Sequence, residues 1–572
     1  MKRKWKLSIL ASVMCLMMLA SLTACGESNT ETTEAASTEK ETEAVEASDA
    51  LSIGDAAVTT LTPKLDGNDI TVTMYEDVYC ANPNSDEQKI SVYVTEGATA
   101  DSPILFLVNN SGWQSDKYES RKQVKNYGTE EQTNAYTGET SEVQVGDYVS
   151  TSDDDIIGAA LSRDFVIVSY GCRARNDEAV NGEYLGHSPA TMTDTKAVIR
   201  YLRYNSSELG VGDTNKIIIS GTSGGGALSV AISADGNSSD FYESLYEIGA
   251  AGIEKDSSGN YVSTINDDVF ATLAYCPINN LGPSDLAYEW TYNETRKQLV
   301  SEGTTWTSGD ESTGVTDVTE EVMAASQELH DAFPEYLASL GLKTETGEDV
   351  TSENIDSLTA ALMEKEIKAV IEEKGIEQMK KDMEGDGSVT TTWLTLNDDK
   401  TYEYNYQNHL LYVSKTTALK VAPAFSNVGL EIANFNEDTL FGTKENSYSA
   451  FEFYSWNNDK VSGNGCGKDD TGLTWDEFMG TDEGKAIALQ IKMASPIEYL
   501  LSESEGDSAP YWYVRHGMID RDIGFTSQTM LYYAMINDSS IKEVNFSFDW
   551  LRPHSGQYDI QEAFAWVDSI LK

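Results

Sequence analysis

From residue 51 to about residue 278 the chain alternates short apolar runs with polar turns and stretches of helical spacing. Ile70–Met74 and Ile90–Val94 read as a pair of antiparallel strands. Ile104–Val108 (ILFLV) and Phe165–Ser169 (FVIVS) are continuous apolar runs, the pattern of strands buried on both faces. Met192–Tyr204 has helical spacing, with Ala197, Ile199, Tyr201 and Leu202 on its apolar side. Ile217–Ser220 predicts another buried strand, and Ala271–Cys276 a further one. Strands alternating with helices imply a mostly parallel sheet with crossover connections.

Between residues 279 and 494 the buried strand runs disappear. Glu and Lys become frequent, and Val318–Leu340 and Ser357–Glu373 have helical patterns. This segment is expected to be a large, mainly helical lid insertion. The alternation then resumes, with a strand at Tyr511–Arg515, a helix at Ser527–Ile536, a strand at Val544–Phe548 and a helix at Ile560–Leu571. The chain therefore divides into a first core part (51–278), the insertion (279–494) and a second core part (495–572). No internal repeat is found.

The first 50 residues follow another logic. Lys2, Arg3, Lys4 and Lys6 precede an apolar stretch from Leu7 to Leu22, which ends in Leu22-Thr23-Ala24-Cys25. That is the layout of a signal peptide (1–24) with a lipid-accepting Cys25. Residues 25–50, rich in Glu, Thr, Ser and Ala, have almost nothing to bury and read as a disordered tether. The expected location is extracytoplasmic, lipid-anchored to a bacterial cell membrane, with that anchor as the only membrane contact.

Composition narrows the partners. The 572 residues include 94 acidic and 40 basic side chains, a net charge of −54. Such a surface repels nucleic acid and anionic lipid. Cys80, Cys172, Cys276 and Cys466 are far apart, without metal-ligand spacing; they read as buried small hydrophobes, with disulfide pairing left open. No HExxH string or complete calcium-loop pattern occurs, so neither metal nor cofactor is expected, and Asp469-Asp470 reads as a solvated turn.

The strongest chemical signal is Gly221-Thr222-Ser223-Gly224-Gly225. It follows the strand KIIIS and opens the apolar helix ALSVAIS. A nucleophile elbow requires that strand–turn–helix setting, with small residues flanking the serine in a tight turn. The fold expected is an α/β hydrolase, with its order of serine, acid and histidine.

A serine hydroxyl needs a base. Of five histidines, His187 precedes the serine, while His330 and His409 lie in the insertion. His554, after the last strand and before the last helix, is the expected base, and His516 a packing residue. Asp520, three positions after Gly517, is the expected acid, with Asp522 as its rival. The oxyanion donors are expected from Gly224 and from Ser111 or Gly112 in the loop NNSGW.

Several stretches carry a resemblance: DTKAVIRYLRYN, GTSGGGALS, YCPINNLGPSDLAYEW, WLTL, KVAPAF, EDTLFGT, RHGMIDRD and PHSGQYDIQEAFAWVD. Through them the chain resembles the bacterial subtype B tannases, α/β hydrolases that cleave galloyl esters and esters of related hydroxybenzoic acids. The resemblance implies Ser223, Asp520 and His554 as the triad, acting on a small-molecule ester. It implies Lys420, Glu437 and Asp522 as contacts to the ring hydroxyls. Gly224 departs from the pattern, since Ala is usual after the serine. The spacers between KVAPAF and EDTLFG and between DRD and His554 are longer. Thr222 and Pro553 stand where a separate fungal group has a disulfide-forming pair of cysteines. Competing expectations are a feruloyl, carbohydrate or general carboxylesterase and, more remotely, a non-catalytic solute-binding lipoprotein.

Overall fold

The computed structural model describes residues 51–114, 117–133, 140–175, 177–303, 319–385, 392–426, 428, 437–448, 451–459, 466–502 and 505–572. The signal segment, Cys25 and the tether lie outside the described residues.

A nine-stranded sheet forms the centre. Its strands are β1 (Ala57–Leu61), β2 (Val72–Val78), β3 (Lys89–Thr95), β4 (Ile104–Val108), β5 (Val166–Tyr170), β6 (Ile217–Thr222), β7 (Ala271–Tyr275), β8 (Tyr511–Gly517) and β9 (Glu543–Asp549). Their spatial order is β1-β2-β3-β5-β4-β6-β7-β8-β9. The first three strands and β5 pair antiparallel, and every pair from β5 to β9 is parallel.

Alternation along the buried strands builds two cores. Ile104, Phe106 and Val108 of β4 join Val166, Val168, Ile217 and Ile219 on one face. Leu105 and Leu107 join Ile167 and Ile218 on the other. The helices among the early strands include α1 (Ile156–Leu161), α2 (Ala190–Tyr204) and α3 (Gly224–Ala234). The segment between β7 and β8 adds α4 (Leu281–Ser301), α5 (Glu320–Leu340), α6 (Ile355–Glu373), α7 (Tyr406–Thr416) and α8 (Asp482–Met493). α9 (Phe525–Asn537) follows β8, and α10 (Ile560–Ile570) follows β9. α1 and α10 cover the Leu105 face, while α2, α3 and α9 cover the Phe106 face.

The segment between β7 and β8 is mainly helical but not free of strands: Leu394–Leu396 pairs antiparallel with Tyr402–Tyr404. Asp469 and Asp470 belong to a short helix, Gly467–Thr471, rather than a turn. Cys80, Cys172, Cys276 and Cys466 are free thiols, and all four are buried. Among the described residues no helix is long and apolar enough to cross a membrane.

Candidate active site

Three loops meet at the carboxyl ends of the parallel strands, where open α/β sheets place their ligands. They leave β6 at Ser223, β8 at Asp520 and β9 at His554. Ser223 has φ 60° and ψ −123°. That is a costly backbone for a side chain with a Cβ, and it lifts the hydroxyl clear of the turn. The Ser223 amide donates to the carbonyl of Tyr275 at 3.0 Å, and its carbonyl accepts from Ala227 at 2.8 Å as α3 begins. A Cβ at Gly221 would collide with the carbonyl of Gly225, so the elbow closes only around glycine.

The side chains form a continuous chain of hydrogen bonds. Ser223 Oγ lies 2.8 Å from His554 Nε2, and His554 Nδ1 lies 2.8 Å from Asp520 Oδ2. With the serine hydroxyl donating to Nε2, the Nδ1–H tautomer donates to Asp520. Asp520 is fully buried, and its Oδ1 accepts the amide of Asp522 at 2.8 Å. Asp522 Oδ2 stands 3.6 Å from His554 Nδ1, beyond a direct hydrogen bond. Asp522 is instead paired with Arg521, whose Nη1 lies 2.5 Å from Oδ1.

Burial opposes the charged form of His554, but Asp520, Cys276 and Asp522 act the other way and raise its pKa well above the usual value. Burial also raises the Asp522 carboxyl, yet Arg521, His554 and Lys420 outweigh it and hold that group well below the carboxylate range. His516 is fully buried, and burial depresses its pKa. Its ring meets Phe525 and Phe548 edge-on, so it packs where His554 does not.

The Ser111–Trp113 turn after β4 lies against the elbow. Gly112 has φ 56° and Trp113 φ 60°. The position a Cβ of Gly224 would take is 2.7 Å from the amide nitrogen of Gly112 and 2.6 Å from that of Trp113. The backbone of the Ser111–Trp113 turn thus packs directly against Gly224, the residue that follows the serine.

The residues expected to contact substrate fall around this centre. Lys420 is half-buried, near enough to Asp522 to act on its charge, and its Nζ lies 4.1 Å from the centre of the Phe425 ring. Glu437 opens the Glu437–Leu440 turn, which packs against the Ser111–Trp113 turn. It is buried, and its Oε2 has no hydrogen-bond partner among the described residues.

Two neighbours were not singled out in the sequence. Arg521 sits inside DRD and could have been read as the counter-charge to Asp522. Cys276 Sγ lies 3.9 Å from His554 Nε2 and donates to the carbonyl of Ser555 at 3.2 Å. No local signal links residues 276 and 554. Among the described residues, Cys276, Asp520 and His554 are also the one cluster of metal-type donors, and it coincides with the serine–histidine centre.

The family model described as BD-FAE, an α/β-hydrolase-type domain, matches residues 145–326. No curated protein matches the sequence. Among solved structures, the tannin acyl hydrolase from Lactobacillus plantarum is 24% identical with a TM-score of 0.68, the match covering 91% of this chain and 98% of that one. The Fusobacterium nucleatum tannase is 27% identical with a TM-score of 0.64, over 91% of this chain and 98% of that one. A tannin acyl hydrolase in complex with ethyl gallate is 24% identical with a TM-score of 0.67, again over 91% and 98% of the two chains. The chain is an α/β hydrolase that resembles the bacterial tannases over 91% of its length, and it is a carboxylic ester hydrolase.

Proposed function

We propose that the protein hydrolyses galloyl or related hydroxybenzoate esters through an acyl-enzyme on Ser223. His554 Nε2 takes the hydroxyl proton as Ser223 Oγ attacks the ester carbonyl. Asp520 fixes the tautomer and stabilises the imidazolium that forms. The oxyanion accepts from Gly224 N–H and from Gly112 or Ser111 N–H. Collapse breaks the ester C–O bond, and His554 returns the proton to the departing alcohol. Water then attacks the acyl-enzyme by the same route in reverse, releasing the free acid and Ser223.

The observation that carries the substrate class is Oε2 of the buried Glu437, which has no hydrogen-bond partner among the described residues. A carboxylate oxygen buried without a donor is costly, and a phenolic O–H is the donor that would satisfy it. Lys420 and Asp522 add one donor and one acceptor in the same region. Solved relatives in complex with ethyl gallate and with 3,4-dihydroxybenzoate are consistent with such ligands. The lipid-acceptor pattern at Cys25 supports action outside the cytoplasm from a membrane anchor.

The test pairs methyl gallate with phenylmethanesulfonyl fluoride. Hydrolysis of methyl gallate is expected, with loss of activity as one sulfonyl group attaches to Ser223, read by peptide mass. Turnover of a simple acetate ester but not of methyl gallate would leave a general carboxylesterase. Turnover of neither would leave a binding protein.

A further inference from the structure

The stretch GPSDLAYEW has no part in the reaction chemistry, yet it lies on the helix that holds the Lys420 loop. Asp285, Tyr288, Glu289 and Arg296 share one side of α4, at separations that bring side chains to a common face. All four are buried. The Asp285 carboxylate accepts three consecutive amides: Ala424 at 2.5 Å and Phe425 at 2.8 Å on Oδ1, and Ser426 at 3.0 Å on Oδ2. The Tyr288 hydroxyl accepts the amide of Lys420 at 3.0 Å. Arg296 Nη2 donates to the carbonyl of Lys420 at 2.6 Å. Arg296 is itself held by a two-point bond to Glu289, both contacts at 2.8 Å.

The loop is therefore gripped at both ends by its backbone, which leaves the Lys420 side chain free to face substrate. Its ammonium rests on Phe425, and Phe425 meets the Tyr288 ring edge-on, with centroids 5.9 Å apart. The same helix supports the loop that carries Asp520 and Asp522. A Cβ on Gly524 would stand 2.8 Å from Thr291 Oγ1 and 3.1 Å from the Ala287 carbonyl. Thr291 Oγ1 also donates to Thr526 Oγ1 at 2.9 Å. One rigid helix thus sets the distance between Lys420 and Asp522.

We propose that Asp285, Tyr288 and Arg296 are positioning residues for substrate selection, fixing the 420–426 backbone so that Lys420 meets a ring hydroxyl; the inference rests on the ring-reading role proposed for Lys420. A positioning role differs from general support of the fold, because its loss falls on hydroxylated substrates and vanishes when Lys420 is already gone.

The experiment measures kcat/KM for methyl gallate and methyl benzoate in wild type, Lys420→Ala, Tyr288→Phe, Asp285→Asn and the Lys420→Ala/Tyr288→Phe double variant, with thermal melts of each. Tyr288→Phe keeps the ring and removes one hydroxyl, so the fold should persist even if Asp285→Asn melts early. The single hydroxyl loss should cost about fivefold on methyl gallate, as one hydrogen bond would, chiefly in KM, and under about twofold on methyl benzoate. In the Lys420→Ala background the same change should cost nothing further. Equal losses on both esters, or an undiminished loss in the double variant, would overturn the inference while leaving Lys420 in its role. A gallate-to-benzoate ratio unchanged by Lys420→Ala would remove the ring-reading role itself, and the inference with it.

Discussion

Gly224 and Gly112 touch through their backbones: a Cβ on Gly224 would stand 2.7 Å from the Gly112 amide nitrogen and would collide with the carbonyl of Asn110. The elbow and the turn after β4 are closed on each other with no room for a methyl group. Gly224 departs here from the resemblance, which implies Ala after the serine.

Gly224→Ala should therefore displace the Ser111–Trp113 turn and misplace one oxyanion donor. Loss of one such donor typically lowers kcat by roughly 10²-fold or more. Steady-state kinetics on an acetate ester, beside a thermal melt, would check this. An alanine variant as active as wild type would show that the turn yields and that the second donor lies elsewhere.

The two candidate acids separate by distance. Asp520 lies 2.8 Å from His554 Nδ1 and Asp522 lies 3.6 Å away. Asp520→Asn should lower kcat for an acetate ester by on the order of 10⁴, whereas Asp522→Asn should cost under about tenfold on that substrate. A larger loss for Asp522→Asn would reverse the assignment.

The pH profile follows from the charges around His554. An imidazolium cannot take the serine proton, so activity is lost as pH falls through the histidine pKa. Burial lowers that pKa, but Asp520, Cys276 and Asp522 raise it beyond the ordinary 6.5. The acid limb of kcat/KM should accordingly lie above pH 6.5. Asp522→Asn removes one carboxylate charge and should move the limb to lower pH. A limb below the ordinary histidine value, unmoved by that substitution, would contradict the electrostatic account.

The anchor is tested at Cys25. Cys25→Ser should release the enzyme from the membrane fraction or leave its precursor uncleaved. Unchanged fractionation together with unchanged processing would remove the lipoprotein reading.

The sequence revealed what is local. β4 to β7 announce themselves because strands buried on both faces are mostly apolar, with only Ser169, Ser220, Thr272 and the Gly221-Thr222 end of β6 interrupting them. The Ser223 elbow was legible because its turn tolerates so few residue types. His554 emerged because so few histidines were available after the serine. β1 was not anticipated: four of its five residues are exposed, and an edge strand needs no apolar run. Lys420 and Glu437 were legible only through a family resemblance, since a lone charge in an acidic insertion has no signature. The bond from Asp285 to Phe425 spans 140 positions, and the approach of Cys276 to His554 spans 278. Such pairings come from packing, and no periodicity records them.

Ring-hydroxyl selection by the wild-type enzyme tests the central claim most directly. The measurement is kcat/KM for methyl gallate against methyl benzoate under identical conditions. A site in which a phenolic hydroxyl satisfies the buried Glu437 Oε2 should favour the gallate by at least about 100-fold, since the benzoate leaves that oxygen unsatisfied. Equal rates for the two esters would contradict the account and leave an α/β-hydrolase esterase that does not read the ring.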